Sequence, residues 1–122
     1  FMYKYEEAIA ILINSFPDLK PIYELDKDYY ENLPYTFYES EFVKFIIEMV
    51  KFNNRETLIK IFEFVEDMLK NGDKDFKNLI EVAVIESLYF DNNISDKNDI
   101  VNYFGNLTLK SYQECLWLYY SY

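Results

Sequence analysis

The chain has 122 residues, 51% of them apolar and 20% aromatic, which is enough for one hydrophobic core, too little for two, and too apolar for disorder. Its 22 acids against 12 bases leave a net charge of −10, which repels nucleic-acid phosphates and anionic lipid and favours basic proteins as partners. With no histidine and one cysteine, Cys115, the sequence excludes Ser-His and Cys-His nucleophile pairs, imidazole metal sites, thiolate clusters and an internal disulfide.

Phe1 precedes Met2 and is set aside as an expression remnant, leaving a single domain over residues 2–122. No basic, apolar leader and no apolar run of bilayer length occurs, so a cytoplasmic location is expected. From Tyr3 to Phe16, apolar residues at 5, 8, 9, 12, 13 and 16 follow helical spacing, and Pro17 ends the run. Residues 17–35 are expected to be irregular or briefly helical, punctuated by Pro21 and Pro34. In "SEFVKFIIEMVKF", Phe42, Phe45, Ile46, Met49 and Val50 form one stripe behind Ser40 as N-cap.

"NNRETLIKIFEFVEDMLKNGD" repeats the pattern through Leu58, Ile61, Phe62, Val65 and Leu69. Asn54 stands where a cap belongs and Asn71-Gly72 where a helix stops. Asp73 is placed to cap "KDFKNLIEVAVIESLYF", in which Leu79, Ile80, Val82, Ala83, Val84, Ile85 and Leu88 cover nearly every direction. Such a helix packs on several sides, and the segment is too long for the strand its β-branched run would otherwise suggest. A short helix in "SDKNDIVNYF", capped by Ser95 and closed by Gly105, precedes a last helix in "TLKSYQECLWLYYSY". The expected fold is all-α, a single compact bundle or short helical stack of five to six antiparallel helices.

Chemistry-bearing constellations are few. Only Gly72 and Gly105 are available, so there is no glycine-rich phosphate loop. Glu81 and Glu86 are the best carboxylate pair, but five positions on an α-helix are about 140° apart, on different faces. They and Asn78 are expected to bond a neighbouring helix end or a tyrosine hydroxyl. "DNNISDKNDIVN" offers Asp91, Asn93 and Ser95 at the first oxygen positions of a calcium loop. It has Asp96 where the turn needs glycine and Asn102 where a bidentate glutamate belongs, so it reads as a polar loop. Asn93-Ile94-Ser95 and Asn106-Leu107-Thr108 match the glycosylation pattern without a leader to give it meaning. Cys115, flanked by Leu109, Leu116 and Trp117, reads as a small core residue. The expectation is no catalytic residue, no metal and no cofactor.

"YELDKDYYENLPYTFYESE", residues 23–41, combines six carboxylates and five tyrosines with a single lysine. Tyrosine offers large contact area at little rotamer entropy, and flanking carboxylates steer a basic partner. The candidate partner-binding residues are therefore Tyr23, Glu24, Asp26, Asp28, Tyr29, Tyr30, Glu31, Tyr35, Tyr38, Glu39 and Glu41. If the segment is extended, Glu24, Asp26 and Asp28 alternate with Tyr23, Leu25 and Lys27 along one edge. The bland alternative is a long connection whose tyrosines pack half-buried on the bundle. Trp117, Tyr119, Tyr120 and Tyr122 cannot all face one core, which makes a homodimer through the C-terminal aromatics a second expected contact.

"LIKIFEFVEDMLKNGDKDFKNLIEVAVIESLYF", followed by "YFGNLTLKSYQE", resembles a family of small bacterial helical proteins known mainly as a domain of unknown function. The turn Tyr103-Phe104-Gly105-Asn106 lacks the proline of that pattern. The shared motifs are packing motifs, and no active-site residues transfer with them. The resemblance implies an immunity protein carried beside polymorphic or contact-dependent toxins. The resulting expectation is a non-enzymatic inhibitor that neutralises a cognate toxin, basic and of nuclease type, through an acidic tyrosine-rich surface. The alternative is an acidic regulator that mimics nucleic acid towards a host DNA-binding protein.

Overall fold

Among the residues that the computed structural model describes, the backbone of 1–121 and the side chains of 1–118, eight helices follow one another without a strand. Helix α1 (5–15) opens with a 3-10 turn and buries Ala8, Ile9 and Leu12. Phe16 closes it by donating its N–H to Leu12 O at 2.9 Å, and Pro17 cannot continue it. Helices α2 (17–25, a 3-10 turn over Pro17–Leu19 running into α-helix over Lys20–Leu25) and α3 (Lys27–Tyr30) are short, with Pro17 and Pro21 in the first turns of the two segments of α2, where a missing N–H costs little. Residues 20–30 are therefore wound rather than extended, and the expected edge of alternating acids does not form.

Helix α4 (34–51) starts at Pro34, seven residues earlier than a cap at Ser40 implies; Ser40 lies within it and caps nothing. Asn53, at φ 52°, turns the chain into helix α5 (Arg55–Asn71), whose start is capped by Asn54 Oδ1 accepting from Thr57 N at 3.1 Å. Helix α6 (74–90) is capped by Asp73, which accepts from Phe76 N at 2.9 Å and also from Tyr5 N at 3.1 Å, tying α1 to α6. Gly72 is not the left-handed stop that its position after Asn71 suggests, since its φ is −73° and its ψ 155°. It is needed for close approach instead. Tyr3 pairs alongside it, donating to Asn71 O and accepting from Asp73 N, both at 2.8 Å, and a Cβ on Gly72 would lie 2.5 Å from Met68 O.

Two wide turns shape the core. Residues Tyr38–Phe42 of α4 and Ile80–Glu86 of α6 form π-helix, in which hydrogen bonds run from i to i+5. Residues five apart are thereby brought closer round the helix than an α-helix allows. Phe37, Tyr38, Phe42 and Val43 are all buried, as are Leu79, Ile80, Val84 and Ile85. The two π-turns pack against each other, and α6 also touches α5 and α8. As expected it is the central helix, except that Val82 is 43% exposed. Tyr38 spans the contact, its ring centroid 6.3 Å from that of Phe76 and its hydroxyl donating to Ala8 O at 2.7 Å. Phe16 sits among Phe42, Phe45 and Phe64, with centroids 5.5–5.9 Å away.

Helix α7 (Asn98–Val101) is introduced by Asp96 rather than Ser95, with Asp96 Oδ1 accepting from Asn98 N at 3.0 Å. Helix α8 (Asn106–Ser121) takes its cap from another helix. Glu66 of α5 accepts from Leu107 N at 3.0 Å, Thr108 N at 2.9 Å and Thr108 Oγ1 at 2.8 Å. Burial pushes its carboxyl up, but the two amides, the hydroxyl and Lys70 together outweigh that and hold it below the usual carboxylate range. Gly105 makes the room: a Cβ there would meet Glu66 Cδ and Oε1 at 2.5 Å.

Glu66→Ala is expected to cost about 1–2 kcal/mol, as loss of a good cap does. Gly105→Ala should displace the same carboxylate, so the double variant should cost clearly less than the sum of the singles in urea denaturation. Because the folded pKa of Glu66 is depressed, its contribution is present above the unfolded carboxylate value. It is lost as pH falls through the folded value, so the Glu66→Ala penalty should shrink in acid.

Candidate functional site

The acidic segment divides into an inward and an outward set. Tyr38 and Tyr30 are buried, and Tyr23 and Tyr35 are half-buried against Phe37 and Tyr5. A tyrosine ring removes much apolar area from water, and its hydroxyl then takes a partner at the rim. Tyr30 donates to Glu41 Oε1 at 2.9 Å, and burial, reinforced by Glu41, pushes its hydroxyl up to about 12. Burial alone drives Tyr38 well above the ordinary phenol value. Tyr35 accepts from Asn78 Nδ2 at 2.6 Å, so the amide of α6, rather than either glutamate, makes the expected bond to a tyrosine hydroxyl.

Tyr30 and Tyr38 are thus core residues and not partner contacts, Glu41 holds Tyr30, and Tyr23 and Tyr35 present edges only. Glu24, Asp26, Asp28, Tyr29, Glu31 and Glu39 remain exposed. Sequence reasoning overlooked their apolar neighbours. Ile22 and Leu33 are exposed, and Leu25 is 84% exposed. Leucine between acids in a proline-punctuated stretch carries no periodic signal, because α2 and α3 are each too short to show one.

A second constellation lies between α6 and α8. The expectation that Glu81 and Glu86 occupy different faces assumed an α-helix. The π-turn brings them round to one groove, and the Glu81 charge bears on Glu86. Burial raises the Glu81 carboxyl, Glu114 of α8 raises it further, and Lys77 opposes; burial and then Glu81 raise Glu86. With Val82 they line a groove of about 240 Å³ whose other wall is Ser111, Glu114, Cys115, Trp117 and Leu118. Cys115 is buried, donates to Ser111 O at 3.5 Å, and has its thiol pushed up to about 11 by burial and then by Glu86, Glu114 and Glu81. It is therefore a protonated core thiol at neutral pH, as its sequence neighbours implied.

The calcium-like loop is occupied by the protein's own groups. Asp91 Oδ1 accepts from Asn93 N at 2.6 Å, while Lys97 Nζ donates to Leu88 O at 2.9 Å and to Asp91 O. Among the described residues, no group of three or more acids and thiols is placed to hold a metal ion. No described helix is long and apolar enough to cross a membrane. Of the C-terminal aromatics, Trp117 is 76% exposed; the side chains of Tyr119 and Tyr120, and Tyr122 altogether, lie outside the described residues.

Glu81→Gln and Glu86→Gln should each raise stability at neutral pH, since each removes a charge that burial and a like neighbour disfavour. A carboxyl whose folded pKa is raised destabilises the fold above that value and ceases to do so once pH falls below the unfolded value. The gain should therefore be visible by thermal melting at pH 7 and fade on acidification. Loss of stability in both variants at pH 7 would contradict the arrangement.

No curated protein and no solved structure matches the chain. Residues 9–118, nearly all of the described fold from α1 into α8, match one family, and the chain belongs to it: the Domain of unknown function (DUF7674) family.

Proposed function

We propose that this chain is a binding protein of the immunity type, which holds a basic protein toxin and neutralises it by covering its cationic surface. The observation that carries the reading is the make-up of α2, α3 and the turn after them. Ile22, Leu25, Tyr29 and Leu33 stand exposed among Glu24, Asp26, Asp28 and Glu31, with Lys27 the one base between 22 and 33. An exposed leucine in a monomeric face is ordinary singly, but four large apolar side chains in twelve positions, bracketed by acids, match the anchor-and-rim make-up of a protein interface.

The acids would accelerate encounter with a basic partner and fix its register, and the apolar anchors would slow its release. A nuclease toxin must present cations to phosphate, so an acidic cover competes directly with its substrate. The exposed carboxylates of Glu24, Asp26, Asp28 and Glu31 remain in the proposed interface, with Tyr29. Tyr30 and Tyr38 act only by holding the helices that display them.

Co-expression with the product of the adjacent gene should yield a stoichiometric complex and relieve that product's toxicity. Leu25→Ala and Tyr29→Ala should each weaken the complex about tenfold or more, as truncation of an interface anchor does. Asp26→Lys with Asp28→Lys should slow association and reduce its salt dependence, measured by surface plasmon resonance. A neighbour that is neither toxic nor bound defeats the reading. Capture of a host DNA-binding protein from lysate without the neighbour would move it to the nucleic-acid-mimic alternative.

A further inference from the structure

We propose that loop 91–97 is a latch held shut by one positive charge: the Lys97 ammonium sits in a cradle of main-chain oxygens at the end of α6, and removing that charge opens the loop. The latch lies apart from the α2–α3 face, so either proposal can fail alone.

The geometry begins at an unfinished helix end. The last carbonyls of an α-helix find no partner within it, and cations are favoured there. Helix α6 ends at Phe90, and Lys97 Nζ donates to Leu88 O at 2.9 Å and also to Asp91 O. Leu88 O also accepts from Asp91 N, at a long 3.4 Å. The main chain of Lys97 starts the next helix, since its carbonyl accepts from Ile100 N at 3.1 Å and from Val101 N at 2.9 Å. Lys97 thus ends α6 with its side chain and begins α7 with its backbone. The segment that reads as a calcium loop does hold a cation, and the cation is the chain's own.

The rest of the loop is weakly tied. Asp91 Oδ1 accepts from Asn93 N, and Asp96 Oδ1 from Asn98 N, but each bond reaches only two positions along the chain. Asn92, Asn93, Ser95 and Asp96 are exposed, which leaves Ile94, 4% exposed, as the apolar anchor between them. Bonds from a charged donor are roughly twice as strong as neutral ones, so the ammonium contributes more than either local turn. Burial pulls it below the ordinary lysine value, and the Asp91 charge opposes this. The carbonyl oxygens therefore stand in for water that the ammonium has lost. Without the charge, two carbonyls lose their donor and one isoleucine must hold seven residues. A segment with so few ties opens on its own, while the core stays folded. Opening would withdraw Ile94 from the core. It would also dismantle a groove of about 320 Å³ that Asp91 and Asn93 line together with Ser40, Lys44, Ile47 and Lys51 of α4.

The test uses NMR on the full chain. In the natural sequence, the Lys97 ammonium protons should exchange with water at least tenfold more slowly than those of exposed Lys110. Lys97→Met keeps the apolar stem and removes the charge. It should lower the backbone order parameters of residues 92–98 to those of a flexible loop, and contacts of the Ile94 methyl groups with the core should be lost. Helix α5 should remain ordered, and Lys110→Met, which removes a charge elsewhere, should leave the loop as it was. The proposal is overturned by Lys97 ammonium protons that exchange as fast as those of Lys110, a result that does not depend on any variant folding. It is equally overturned by a loop that stays ordered in Lys97→Met, by disorder that spreads equally through α5, or by the same loosening in Lys110→Met.

Discussion

The i→i+5 hydrogen-bonded turn is the constraint on which the architecture depends. It occurs twice, in α4 and in α6, and the two wide turns meet in the core. An α-helix places residues five apart about 140° from one another, whereas the π-turns bring Phe37 and Phe42, Tyr38 and Val43, Leu79 and Val84, and Ile80 and Ile85, all of them buried, closer round the helix. The two wide turns pack against each other through these buried side chains. The same geometry that buries these pairs forces Glu81 and Glu86 together on the outer side. Core packing and surface charge are therefore set by one backbone feature.

Around that centre, polar groups work at the joints between helices. Asp73 serves both α6 and the start of α1, Glu66 serves α8 from α5, and Tyr38 ties the π-turn of α4 to α1 through Ala8. Each is a local capping or rim bond made across helices, so the order of the bundle is held by a few carboxylates and hydroxyls as well as by its apolar core. The tyrosines of residues 23–41 belong to this system: Tyr30 and Tyr35 end on Glu41 and Asn78. What remains outside is an acidic face with apolar anchors, and a groove of three carboxylates with apolar walls.

The all-α class, the stripes of α1, α4, α5 and α6, and the caps Asn54 and Asp73 were legible because each rests on short-range rules. Asp96 and Glu66 were not, the first because Ser95 is an equally good cap by type, the second because its target lies 41 and 42 residues away. The tyrosines of 23–41 misled because composition shows that a ring is present but not which way it points; only the packing of α2, α3 and the start of α4 decides that Tyr38 goes in and Tyr29 stays out. The π-turn did leave a trace. Leu79-Ile80-Glu81 recurs as Val84-Ile85-Glu86, a repeat of five that an α-helix reading passes over. Reading by a period of 3.6 placed the two glutamates apart and so hid the groove.

The approach of Glu81 to Glu86 across the π-turn is most directly tested by following the side-chain carboxyl resonance of Glu86 by NMR across a pH titration, in the natural sequence and in Glu81→Gln. Burial keeps part of the upward shift in both, but the part due to Glu81 disappears with its charge. The account predicts that the Glu86 midpoint moves down towards the ordinary carboxylate value in Glu81→Gln. A midpoint that does not move would place the two side chains on separate faces, as an unbroken α-helix would, and would contradict the account.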